Sequence, residues 1–166
     1  MANTFKVIDE KTWERAVHCK IFRESIEPAF CVTFNADITN FLQQIRKQNF
    51  SLTLAFVYAV CKCANEIKEF RYRFLDRNIV LFDKIDTAFT YLNKDTELFK
   101  VVNVPMQDTM KQYVELAAHL AEEQKEYFTG PLGNDVFQCS PMPWVTFTHI
   151  SHTNSGKMDN ATPYEF

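Results

Sequence analysis

Four histidines and five cysteines are the side chains of this chain best suited to metal, redox or nucleophilic chemistry. Cys61-Lys62-Cys63 is a C-x-C pair, not the C-x-x-C of redox and zinc sites, and Cys19, Cys31 and Cys139 stand apart. His18, His119, His149 and His152 have no companion spacing that builds a metal cage, so no metal site is expected. His119 falls in a helical stretch with no obvious partner, and His149 and His152 read as structural or solvent-exposed. Three glycines, Gly130, Gly133 and Gly156, cannot build a P-loop or a dinucleotide fingerprint. Reduced thiols in a cytoplasm are the plain reading of an odd cysteine count.

These residues are carried by alternating helical and strand-like stretches. Asp9 or Thr12 can cap a helix through "TWERAVHCKIF", where Trp13, Val17 and Ile21 recur on one face. "AFCVTFNAD" favours a strand. Thr39 is a candidate N-cap for "NFLQQIRKQN", with Phe41, Leu42 and Ile45 as its buried stripe. Ser51 can cap a more apolar helix running to about Glu66. "RYRFL-DRN-IVLFD" and "TAFTYL-NKDTE-LFKVVNV" have the pattern of β-hairpins. A helical period returns from Asp108 to Phe128, "TGPLGND" breaks it, and "VFQCS" and "PWVTFTHIS" follow as strands. The order predicts an α+β fold with a mixed sheet covered by helices, in one domain over residues 1–166.

The bulk numbers exclude several classes. Apolar residues make up 46% of the chain and sixteen are Phe, which is ample material for one core. A formal charge of −3 gives no electrostatic reason to expect nucleic acid. The N-terminus "MANTFKVIDEKTW" has no basic region followed by an apolar stretch, and "LTLAFVYAVCKCA" is too short and interrupted to span a bilayer. No membrane partner is expected.

Several stretches fall in the same order and spacing as one known family. "WERAVH" (Trp13 to His18), "DITNFL" (Asp37 to Leu42), "NEIKEFRYR" (Asn65 to Arg73), "TAFTYLNKDTELF" (Thr87 to Phe99), "PWVTFT" (Pro143 to Thr148) and "MDN" (Met158 to Asn160) together resemble chloramphenicol acetyltransferases. The resemblance implies a homotrimer of two-layer α/β sandwich subunits with active sites between subunits. It implies transfer of an acetyl group from acetyl-CoA, the co-substrate, to a hydroxyl of chloramphenicol or a related acceptor. A His in an H-H-x-x-x-D-G motif would act as general base on that hydroxyl.

Carried onto this chain, the resemblance gives Thr146 the place of the hydroxyl that donates to the tetrahedral oxyanion. Arg15 takes the place of an Arg that pairs with the Asp of the C-terminal motif and supports the imidazole. Phe22, Phe30 and Thr90 fall on the acceptor-pocket positions, although for two Phe and a strand Thr core or sheet packing is the plainer reading and only register favours the pocket. His18 matches a motif position that is not the catalytic one and reads as a helix-face residue making a structural hydrogen bond. Ile21 and Pro28 depart from the usual acceptor wall, leaving chloramphenicol the leading acceptor.

No H-H-x-x-x-D-G occurs in the 166 residues. The chain therefore reads as a C-terminally incomplete member of the family, lacking the general base and the carboxylate meant for Arg15, and inactive as it stands. Unpaired strand edges and uncovered apolar faces are expected with it. An alternative of another class is a non-catalytic binding or assembly subunit that keeps the trimer-contact surface.

Overall fold

The computed structural model describes residues 3–25, 30–93, 95–129, 133–148 and 150. It is an α+β fold of four α-helices and two three-stranded sheets among those residues. The strands are β1 (Phe5–Val7), β2 (Tyr72–Leu75), β3 (Asn78–Phe82), β4 (Asp86–Leu92), β5 (Phe99–Val104) and β6 (Val136–Cys139). The helices are α1 (Ala16–Arg23), α2 (Thr39–Lys47), α3 (Leu52–Glu66) and α4 (Met110–Glu123), with a 3-10 turn at Lys68–Arg71.

Both hairpins form where the turn signals place them. In the first, Leu75 faces Asn78 and the turn is Asp76-Arg77, each with positive φ (48° and 67°). Two left-handed residues are what a two-residue hairpin needs to match strand twist. Asn78 belongs to the strand. The first sheet runs β1-β3-β2, all antiparallel, with Phe5 opposite Phe82 and their rings 5.3 Å apart. The second runs β5-β4-β6 and is mixed: β5 is antiparallel to β4, β6 parallel.

Helices α3 and α4 cover one face of this mixed sheet, giving two layers. Alternation along β4 sends Phe89 into the core beneath them, and Thr87 is fully buried. Thr87 Oγ1 bonds Val104 O at 2.9 Å and shares a hydrogen bond with the Tyr113 hydroxyl at 2.7 Å. This satisfies the buried Thr and Tyr together. Burial pushes the Tyr113 phenol well above its ordinary value, although the Thr87 contact pulls the other way. Phe137 on β6 packs against both this core and the small Val80, Phe82, Ile85 cluster, joining the two sheets.

Helix ends follow local chemistry. Ser51 caps α3, accepting from Leu54 N, and Thr109 with Gln112 makes a capping box for α4. Helix α2 ends in a left-handed Asn49 (φ 56°), with Asn49 N bonded to Arg46 O and Phe50 N to Ile45 O. Its start differs from expectation. Thr39 is already helical, and Asp37 Oδ1 accepts the Thr39 N–H at 2.9 Å. Hydrogen bonds from the Thr39 side chain and then its backbone hold the Asp37 carboxyl below its usual range.

Three further expectations are corrected. Asp9 caps a separate turn, accepting from Lys11 N and Thr12, and α1 begins only at Ala16 after Arg15. Val17 and Ile21 are exposed, while Ala16, Cys19 and Arg23 are the less exposed positions of α1. The described parts of "AFCVTFNAD" and "PWVTFTHIS" are not strands. Their residue types suit a strand, but pairing needs a neighbour, and none lies beside them among the described residues. Conversely β1 carries too short a pattern to announce itself, and only β3, far along the chain, makes it a strand.

Candidate functional site

Three of the residues singled out by resemblance lie on or beside α1 and its following segment. Arg15 sits immediately before α1, where its carbonyl accepts the Cys19 N–H. Its guanidinium donates to Glu69 Oε1 at 2.7 Å, an ion pair with both side chains about half exposed (52% and 47%). Arg15 therefore pairs with a carboxylate other than the motif Asp that the resemblance assigns to it. Glu69 is one of two acidic residues of "NEIKEFRYR", and nothing in the sequence says which of them meets Arg15.

The same joint fixes α1 against the first sheet. Trp13 packs on Tyr72 with ring centroids 5.1 Å apart, and the Arg23 guanidinium lies 4.5 Å from the centroid of Phe74. Arg23 also approaches Glu10 at 3.6 Å. No residue of α1 is fully buried, so these edge contacts hold it in place.

Phe22 is 59% exposed and Phe30 87% exposed. Core packing, the plainest account of two phenylalanines, is excluded for both. Thr90 is half-buried on β4, opposite Val101. Strand alternation puts it on the same face as Ala88, away from α3 and α4. That face carries the small Ala88, Val101 and Val136 cluster.

Thr146 lies beyond β6 in an irregular stretch with an open turn, Val145 N meeting Met142 O at 3.4 Å. It is exposed, and its hydroxyl has no hydrogen bond among the described residues. The donor is carried by a loop and not a strand. Around it the apolar side chains stand outward: Trp144 63%, Val145 49%, Phe147 47% and Ile150 51% exposed. Val32 and Phe34 do likewise beyond Phe30, at 69% and 77%.

Candidate bases are few. His18 is exposed on α1 with no hydrogen bond among the described residues, contrary to the structural bond expected of it. His119 does have a partner, Glu123 Oε2 at 3.2 Å one turn along α4. His149, His152, Pro28 and Met158 to Asn160 lie outside the described residues. Among those described, no group of His, Cys, Asp and Glu could hold a metal, and no helix is long and apolar enough to cross a membrane.

Sequence reasoning missed the residues that lock the frame. The Asn65 side chain pairs with the backbone of Ile85 in both directions, its amide donating to Ile85 O and its carbonyl accepting Ile85 N, each at 2.8 Å. It also donates to Cys61 O at 2.9 Å. Arg71 donates to Phe82 O and Asp83 O at 2.8 and 3.0 Å. Asp86 accepts from Met106 N and from Asn3 at 2.7 and 2.9 Å. The "NEIKEFRYR" stretch is thus the joint between α3, the first sheet and the start of β4.

Comparison with known proteins places these features together. A sequence model of the chloramphenicol acetyltransferase family matches residues 3–163. Chloramphenicol acetyltransferase 2 of Escherichia coli is 25% identical over 163 residues, covering 96% of this chain and 76% of the relative. The protein of the same description from Haemophilus influenzae is 26% identical with the same coverage. A solved chloramphenicol acetyltransferase structure superposes with a TM-score of 0.82 at 25% identity, over 93% of this chain and 77% of that one. Separate motifs in register, a shared fold and a match through almost all of the residues in hand converge on one conclusion: the chain belongs to the chloramphenicol acetyltransferase family.

Proposed function

We propose that this chain is an O-acyltransferase subunit that takes an acetyl group from acetyl-CoA to a hydroxyl of chloramphenicol or a related acceptor. The observation that carries this reading is the family match over residues 3–163. Transfer is direct, within a ternary complex, and no covalent acyl-enzyme forms. Thr146 donates to the oxyanion that develops when the acceptor hydroxyl attacks the thioester carbonyl. Its unengaged hydroxyl supports that role, since a donor already bonded within the chain would have to be released first. Phe22, Phe30 and Thr90 form the acceptor wall, and Arg15 steadies the catalytic histidine's motif. The working form is a cytoplasmic homotrimer of single-domain subunits.

Within the 166 residues there is no H-H-x-x-x-D-G, so this chain alone leaves the acceptor hydroxyl protonated and weakly nucleophilic. Purified as such and given acetyl-CoA and chloramphenicol, it should release no CoA above the blank. Measurable transfer would show that another base serves. The transferase reading is tested by joining to residue 166 the segment of an Escherichia coli relative that carries the motif. A folded chimera should acetylate chloramphenicol, and Thr146→Ala should cut kcat by about 10²–10³ while Thr146→Ser keeps most of it. A folded, trimeric chimera without activity on any hydroxyl acceptor would end the reading.

The outward apolar side chains at Phe30, Phe34 and Trp144 favour a second reading, an assembly subunit that completes a mixed trimer. Co-expression with a full-length relative should then give co-purifying heterotrimers. Recovery of the relative only as its own homotrimer would count against it.

A further inference from the structure

Two of the five cysteines meet in the core. Cys61, on α3 and 1% exposed, has its Sγ 3.8 Å from Sγ of Cys139 at the end of β6. Cys19, Cys31 and Cys63 are also free, and Cys63, two residues along the same helix, is exposed on another side. The pair spans 78 residues of sequence and connects a central helix to a strand whose one neighbour among the described residues is β4.

We propose that Cys61 and Cys139 are a site of oxidative modification, forming a disulfide that ties α3 to β6 when the protein meets a hydroperoxide. The two sulfurs are already in contact at 3.8 Å and must close to about 2.05 Å to bond. Cys139 is the part-exposed partner; either sulfur can donate in the contact, and donation from Cys61 S–H favours the thiolate at Cys139. The Cys61 thiol is pushed up by the same hydrogen bond and by burial, so it keeps its proton until Cys139 has reacted.

The Cys139 thiolate attacks one oxygen of the hydroperoxide. The O–O bond breaks, the departing alkoxide takes a proton and leaves as the alcohol, and Cys139 becomes a sulfenic acid. Cys61 then gives up its proton and its sulfur attacks the Cys139 sulfur. The S–O bond breaks and the hydroxide leaves as water. Two thiols lose two electrons in all, and one hydroperoxide is reduced to an alcohol and water.

The bond would act on the part of the second sheet easiest to peel away. β6 is four residues long and is an edge strand among the described residues, and local opening begins at such elements. Closing the loop between the cysteines also restricts the unfolded chain. Both effects hold the strand from which the Thr146 loop departs. The inference stands apart from the proposed transferase activity, because its evidence is the thiol contact alone.

The test is peptide mapping of the reduced chain after brief exposure to hydrogen peroxide, alkylation with iodoacetamide and digestion without reductant. The expected result is a Cys61–Cys139 linked peptide two hydrogens lighter than the free pair, reversed by dithiothreitol. The oxidised chain should show a higher Tm than the reduced one. Cys139→Ala, truncated at the less buried position, should show no such rise. Two results would overturn the proposal. One is that Cys61 stays fully alkylated while Cys139 proceeds to sulfinic acid, and the other is that the links recovered join Cys61 or Cys139 to Cys19, Cys31 or Cys63.

Discussion

The mixed sheet with α3 and α4, and the segments around residues 15–34 and 141–150, are built on opposite principles. In the first region Phe89, Tyr113, Val57 and Val102 are almost entirely removed from water and pack on one another. In the second, large apolar side chains such as Phe30, Phe34 and Trp144 stand in solvent. Every residue proposed to touch substrate, apart from Thr90, lies in the second region. Among the described residues, internal contacts are concentrated in the frame and the proposed working surface stands exposed. Stability and the proposed function are thus carried by different side chains.

The sharpest way to break this contrast is to truncate phenylalanines on both sides of it. Phe89→Ala should cost about 3–5 kcal/mol in urea unfolding, because it removes a filled core position and leaves a cavity. Phe22→Ala and Phe30→Ala should each stay within about 0.5 kcal/mol of the parent chain, since neither side chain is buried. A comparable loss at Phe30 would mean that its segment packs in solution, and the comparison would fail.

A smaller effect is expected at the joint. Asn65→Ala removes both hydrogen bonds to Ile85 and should destabilise by about 1–3 kcal/mol, read as a lower urea midpoint. Its magnitude shows whether the frame depends on polar fastening as well as on packing.

Alkaline titration probes the same core. The Tyr113 phenol, raised by burial, stays protonated in the folded chain at pH values where the unfolded chain has begun to ionise. Its contribution is therefore complete below about pH 10 and declines as pH rises from there through the folded value. Tyr113→Phe should flatten that alkaline decline in thermal unfolding, at the cost of its bond to Thr87. An unchanged slope would show that Tyr113 is not the group responsible.

The smallest effect belongs to the surface pair. Arg15→Ala should change stability by no more than about 1 kcal/mol, because the Arg15–Glu69 bridge is half exposed and screened by salt. In the active chimera the same substitution should still lower kcat if Arg15 supports the histidine motif. An effect on stability alone would reduce Arg15 to a fastener of α1.

Much of the frame could be read from the chain itself, for reasons that are local. Ser51 before an apolar run, Asp76-Arg77 between alternating stretches and the helical period after Asp108 each act within a few residues, and each element formed. The start of α2 lies one residue earlier than Thr39 as a cap implies, because Asp37 accepts the Thr39 N–H and Thr39 itself becomes the first helical residue. The stretches beginning at Phe30 and Pro143 had strand composition and became irregular, because a strand is a property of a pair and composition describes one member. For the site, the residue types were visible and their environments were not. Nothing in "WERAVH" says that Arg15 would meet Glu69, fifty-four residues on.

The sequence by itself determined the α+β class, the hairpins, the main helices and the family, since caps, turns, periodicity and motif order are short-range or linear properties. Only the tertiary structure decided that Phe22 and Phe30 are surface and not core, that Thr146 lies exposed on a loop, and that Cys61 meets Cys139. Exposure and contact depend on which distant segments pack together, and a side chain's type does not fix its neighbours.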